Sequence, residues 1–114
     1  MIVDKTQAKQ NEISPGVCIT HYIDKDKGSG GVSMGMVELL PGTHIKKHFH
    51  KVEDSMIVIA GEGIFIVDDT EYPIKEGMGL LAPAGVPHAL KNNGHIPLRI
   101  VYTWPSVEVE RFFI

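Results

Sequence analysis

The chain carries a single cysteine, Cys18, among its 114 residues, so no intramolecular disulfide can form and cysteine usage gives no support for secretion. Long apolar runs are missing: the longest, Met56 to Ala60, falls far short of the roughly 20 residues that a membrane-spanning helix needs. The opening residues MIVDKTQAKQNEI mix acids and bases without an apolar segment, so no signal peptide is expected and a cytoplasmic location is. There is no excess of positive charge. A formal net charge of −3 offers no electrostatic basis for binding nucleic acid or an anionic membrane. Arginine is almost absent, with only Arg99 and Arg111, and no arginine clamp for a phosphate or dicarboxylate is evident. Helical periodicity is lacking as well. No stretch of about 10–12 residues keeps apolar positions at i, i+3, i+4 and i+7 without an interrupting Gly or Pro.

What is present points to one all-β domain. The length suits a single domain, and 43% hydrophobic with 22% charged residues is a globular balance that excludes general disorder. The 12 glycines and 7 prolines are spread as punctuation between short runs rich in Val, Ile, Phe and Tyr. Strands are predicted at 17–23, 33–40, 44–50, 54–59, 63–67, 70–74, 79–83, 88–92 and 98–104. Turn signals such as Pro41-Gly42, Asp68-Asp69 and Asn92-Asn93-Gly94 separate them. Short strands at near-regular spacing predict a sandwich or barrel. Residues 24–32 read as a polar, glycine-rich loop, and their GSGG lacks the Lys-Ser/Thr of a phosphate loop. The first dozen residues are an arm or an edge strand. The tail VEVERFFI alternates before an apolar close, as a last strand packed on the barrel or on a partner would.

Six histidines are present, and three form an informative arrangement. His48 and His50 are two apart in a predicted strand, so their side chains share one face. Asp54 keeps that parity if the chain continues through a small turn, whereas Glu53 points the other way. His88 opens another strand after the corner Pro83-Ala84-Gly85-Val86-Pro87. Nitrogen ligands with one carboxylate suit a divalent transition metal, namely iron, manganese, nickel, zinc or copper, and not calcium or magnesium. An H-x-H pair alone is a weak signal, more often incidental surface than a site. The surrounding frame strengthens it.

Residues 42–61 read Gly42-x5-His48-x-His50-x3-Asp54-x6-Gly61, which resembles the first motif of the cupin superfamily, G-x5-H-x-H-x3–4-E-x6-G. Residues 77–92 read Gly77-x5-Pro83-x-Gly85-x2-His88-x3-Asn92 and resemble the second motif, G-x5-P-x-G-x2-H-x3-N, at every position. From this composition the second match has a chance of about one in a million per starting point. The resemblance implies a small antiparallel double-sheet β-barrel of jelly-roll type, one domain over residues 1–114, with one metal ion inside near an open end. It carries His48, His50 and His88 over as ligands, with Asp54 at the usual glutamate position. Aspartate reaches roughly 1.5 Å less far on standard bond lengths. Three outcomes stay open: Asp54 binds directly, a water bridges, or three histidines hold the ion alone.

Strand parity then nominates pocket-lining residues. His44 and Lys46 share the nominal face of His48, Met56 and Val58 that of Asp54, and Leu90 that of His88. Tyr102 is a further lining candidate, with Met34, Met36, Phe65 and Trp104 of undetermined parity. His21 and His95 read as surface or packing residues, Cys18 as a buried small hydrophobe, and Asn92 as a group that ties a strand end by hydrogen bonds. The opposite parity (Ile45, Phe49, Ile57, Ile59) is also apolar, so a second sheet or a second subunit must cover it, and a homodimer is expected. The functional expectation is a metal-dependent enzyme acting on a small oxygenated metabolite, carbohydrate-derived or keto/enol, by dioxygenase or Lewis-acid isomerase or lyase chemistry. The alternative is a non-catalytic small-molecule-binding barrel whose metal is structural or orienting, or a barrel without metal.

Overall fold

The computed structural model describes residues 1–114. It contains eleven strands: β1 (Lys9–Ser14), β2 (Val17–Ile23), β3 (Ser33–Leu39), β4 (His44–Phe49), β5 (Asp54–Ala60), β6 (Glu62–Val67), β7 (Thr70–Lys75), β8 (Gly79–Ala82), β9 (His88–Lys91), β10 (Leu98–Trp104) and β11 (Phe112–Phe113). The one helical element is a 3-10 turn at Lys25–Lys27, inside the glycine-rich loop. It is far too short to cross a membrane.

The strands form two antiparallel sheets, ordered β1-β2-β3-β10-β5-β8 and β11-β4-β9-β6-β7. All-β jelly-roll architecture follows. Each sheet buries one face because its strands alternate. In β3 the inward Val37 and Leu39 are buried and Met34 on the opposite face is 40% exposed. From the larger sheet Val17, Ile19, Val58, Leu98 and Ile100 meet Ile45, Phe65, Ile74 and Leu90 of the smaller one, in a single core of 14 residues. The two inner faces interdigitate as in other sheet packings.

Turn chemistry fixes the register. Asp68 and Asp69 both adopt positive φ (50° and 61°), the mirror-image turn that joins β6 to β7 with the twist of the flanking strands. Gly61 sits at φ 84°, and a Cβ there would lie 2.6 Å from the carbonyl oxygen of Pro97, so both backbone freedom and close approach demand glycine. Asn92 ties β9 to its surroundings as expected. Its Nδ2 donates to the carbonyls of Leu39 and Ile96, both at 2.9 Å, and its Oδ1 accepts from Gly94 N.

Only from Lys9 does the N-terminal segment form an edge strand, β1, paired along β2; residues 1–8 lie outside any strand. The tail returns as β11 on the edge of β4, where Phe112 stacks on Phe49 with centroids 5.1 Å apart. Cys18 departs from expectation: it is exposed, because alternation in β2 turns Val17 and Ile19 inward and the residue between them outward. Ile57 and Ile59 on the outer face of the larger sheet remain 46% and 41% exposed.

Candidate metal centre

Four side chains named from the sequence meet between the sheets. His48 lies in β4 and pairs across strands with His88 at the start of β9; their ring centroids are 4.3 Å apart. His50 follows β4 directly, and Asp54 opens β5. All four are buried, with 2–5% of their surface exposed. The corner that presents His88 is bound to the first motif, since Gly85 N–H donates to the His50 carbonyl at 2.7 Å. The glycine there has φ 78°.

Each imidazole is held by a backbone carbonyl on its Nδ1. The partners are Lys46 O at 2.7 Å for His48, Glu110 O at 2.8 Å for His50, and Val86 O at 3.1 Å for His88. A carbonyl can only accept, so each Nδ1 carries a proton, and in the neutral ring Nε2 presents its lone pair. Metal-ligating histidines are oriented in this way. The three ligating atoms lie within 4.8 Å of one another. Asp54 Oδ2 is 3.7 Å from Nε2 of both His50 and His88. Donors that share one ion at about 2.1 Å lie roughly 3–4 Å apart, so this carboxylate stands on the His50/His88 side at a compatible spacing.

Burial sets the protonation. It pulls the His48 imidazole from 6.5 down to about 3, against the opposing pull of its bond to Lys46 O. Burial also lowers His50, opposed by the Glu110 carbonyl and the Asp54 charge. Both rings are therefore neutral near pH 7, which is the ligating form.

The buried polar atoms without a partner carry the strongest signal. There are five in the molecule: His50 Nε2, Asp54 Oδ1, His88 Nε2, Trp104 Nε1 and Arg111 Nε. All belong to this one region. His48, Asp54, His88, Trp104 and Arg111 line a common cavity of about 30 Å3, and the His50 ring packs 5.3 Å from Trp104. Leaving such an atom unsatisfied costs about 1–3 kcal/mol, so five at one place mark a site built for something else to complete. Two imidazole nitrogens and a carboxylate oxygen offer lone pairs, which fits a cation.

The other lining candidates divide. Met56, Leu90 and Tyr102 line the cavity, as do Ile19, Val37 and Ile45. Val58 and Phe65 are core residues. Trp104 joins the wall, whereas Met34 and Met36 face outward. His44 and Lys46 require correction. Both are exposed and line a separate, open cavity with Ile13, Ser14, Ile45 and Phe113 instead of the histidine cavity, because the register of β4 shifts between Ile45 and His48. That bulge places Ile45, three residues before His48, on the inner face and frees the Lys46 carbonyl to hold the His48 ring. His21 is a packing residue with a polar contact: its Nδ1 lies 2.9 Å from the Tyr102 hydroxyl. Burial lowers its imidazole and raises the Tyr102 phenol, so the phenol keeps its proton.

Arg111 stands at the site although nothing in the two motifs pointed to it. It is half-buried in the cavity wall, and no carboxylate lies within ion-pair distance of it. Burial lowers its guanidinium from its ordinary value, with Asp54 pulling the other way. A signal was available in the tail. In Val107-Glu108-Val109-Glu110-Arg111 the half-buried positions alternate with exposed ones, and Arg111 takes the parity of the valines. The Glu110 carbonyl that holds His50 comes from the same segment, and backbone acceptors leave no mark in sequence.

Comparison with known proteins agrees with this fold. The chain is 34% identical over 70 residues to protein SchB of Streptomyces halstedii, a match covering 60% of this chain and 51% of SchB. It is 30% identical over 79 residues to a gentisate 1,2-dioxygenase of Ralstonia sp, covering 68% of this chain and 22% of that enzyme. The chain thus spans about half the length of one relative and about a fifth of the other. Among solved structures, the polyketide cyclase RemF from Streptomyces resistomycificus superposes with a TM-score of 0.81 at 21% identity, covering 100% of this chain and 86% of RemF, which establishes likeness of fold. Residues 35–104 match the family described as the cupin domain, and with both motifs and the buried three-histidine cluster in place, the chain belongs to the cupins.

Proposed function

We propose that the protein is a metal-dependent enzyme acting on a small keto/enol metabolite, with one divalent transition ion held by His48, His50, His88 and Asp54. The observation that carries this reading is the gathering of every unsatisfied buried polar atom of the molecule around one small cavity. A structural metal site closes its ligand set, whereas two of these atoms, Trp104 Nε1 and Arg111 Nε, are donors that no cation can satisfy. They await a ligand.

The bound ion would supply Lewis-acid polarisation of a carbonyl, with dioxygen chemistry added if it is iron or copper. The protein's own residues do the rest. Backbone carbonyls of Lys46, Val86 and Glu110 fix the three imidazoles in one tautomer. Ile19, Met56 and Leu90 keep the wall apolar and dry, which strengthens every charge interaction inside. That wall suits a keto/enol group better than a carbohydrate, whose hydroxyls would need more partners than it offers. The name of one relative, a gentisate 1,2-dioxygenase, agrees with a small oxygenated substrate.

Either branch of chemistry draws on the enol form of a carbonyl compound, so proton exchange tests the reading directly. Protein loaded in turn with each of the five transition metals is incubated with pyruvate in deuterium oxide, and methyl exchange is followed by NMR. With at least one metal, exchange at least tenfold faster than with chelator-stripped protein is expected. Equal rates for stripped protein and every loaded form would reject the enzyme reading.

A second subunit is proposed to cover the larger sheet. Met36, Val101 and Ile57 form a row across β3, β10 and β5, and Leu81 on β8 is 49% exposed on the same face. A continuous apolar face of this kind marks an association surface. Light scattering coupled to gel filtration should give twice the monomer mass, and Ile57→Glu should halve it. A wild-type monomer at micromolar concentration would remove the proposal.

A further inference from the structure

We infer that Arg111 and Trp104 form an anion subsite beside the histidine cluster, and that the ligand of this cavity is therefore a small carboxylate. The inference rests on the cavity being a ligand site and deepens it by naming the group recognised. Five unsatisfied atoms divide by chemistry into lone-pair acceptors and N–H donors. The acceptors, His50 Nε2, His88 Nε2 and Asp54 Oδ1, call for a cation. The donors, Trp104 Nε1 and Arg111 Nε, call for an oxygen.

Charge gives the oxygen its character. The Arg111 guanidinium is half-buried, and no Asp or Glu lies within 4 Å of it. Arg99, by contrast, is paired with Glu38 at 2.7 Å on the surface. A desolvated, unpaired guanidinium is costly unless an anion completes it. Asp54 is the one acid in the cavity wall, and its single negative charge does not balance Arg111 together with a divalent ion. The deficit is two charges, which favours an anionic ligand. Planar N–H donors match a carboxylate in particular.

Position supports the same conclusion. Arg111 is fixed by its neighbours: Glu110 O accepts from His50, while Phe112 pairs with Phe49 and Phe113 with His48 in the β11–β4 ladder. The guanidinium thus rides on the same segment that orients a metal-binding imidazole. Trp104 is held by the Tyr102 ring at 4.4 Å and the His50 ring at 5.3 Å. A cavity of about 30 Å3 admits a ligand of only a few heavy atoms. One small carboxylate meets these limits.

The test compares acetate with acetamide, which share shape and differ in charge. NMR titrations of chelator-stripped and zinc-loaded protein, with metal content measured on each sample, give both dissociation constants at fixed ionic strength. Wild-type stripped protein should favour acetate at least tenfold. Arg111→Gln should erase that preference by weakening acetate far more than acetamide, and Arg111→Lys should restore part of it. Trp104→Phe should weaken both probes. A preference that appears only in the zinc-loaded protein and survives Arg111→Gln belongs to the ion and overturns the subsite. So does wild-type stripped protein without preference. Should wild-type protein bind no metal at all, the metalloenzyme reading falls, while an Arg111-dependent acetate preference in stripped protein still upholds the subsite.

Discussion

Replacing His48 and His88 together by alanine should reduce bound metal from about one ion per chain to background, with the barrel still folded. The two rings face each other across the β4–β9 pair, and each is already committed through Nδ1 to a backbone carbonyl. What they lose in the variant is therefore the ligating nitrogen. Disturbing merely the group that orients a ligand costs about 10–100-fold in metal affinity, so deleting two ligands should exceed 100-fold. The 14-residue hydrophobic core includes neither histidine, which is why circular dichroism should still report a β-barrel. Elemental analysis of untagged protein by plasma mass spectrometry reads the result. Full metal content in the double variant would show that the ligand set is wrong. Asp54→Glu provides the complementary arm. If its carboxylate occupies a ligand position, the longer side chain should preserve or raise affinity, and the 3.7 Å spacing from two imidazole nitrogens places it within reach.

The barrel was legible because each strand announces its limits. The observed β2 and β10 coincide with the predicted 17–23 and 98–104, and the other predicted strands shift by a single residue at their ends. Pro, Gly and paired Asp residues at the turns carry that information locally. The histidine cluster was legible for a different reason: its residues stand in two motifs whose spacing encodes the meeting of β4 and β9. Parity failed where the backbone is irregular. A rigid count of two places His44 and Lys46 beside His48, but one bulge reverses the face and brings Ile45 inward instead. Arg111 escaped because arginine was weighed by number rather than by position in the alternating tail. The Glu110 carbonyl had no signal to give, since any residue supplies one.

Acid should destabilise the metal-free protein well before its carboxylates are protonated in bulk. His48 is buried neutral, with a folded-state value of about 3 against 6.5 when solvated, and His50 is shifted in the same direction by the same cause. Between those values the unfolded chain binds more protons than the folded one, so unfolding free energy falls as pH is lowered. The stability attached to these rings is complete above about pH 6.5 and drains away as pH descends toward 3. At pH 5 the loss from His48 alone is about 2 kcal/mol, at 1.36 kcal/mol per pH unit. Urea denaturation of stripped protein at pH 7 and pH 5 should therefore show a clearly lower midpoint at pH 5. His48→Leu should reduce that difference, because leucine keeps the volume and has no proton to take up, while the part due to His50 remains. An unchanged or higher wild-type midpoint at pH 5 would mean that the imidazoles are already protonated in the fold. In that state their Nε2 atoms would carry hydrogens, and the cluster would repel the cation that its geometry is arranged to receive.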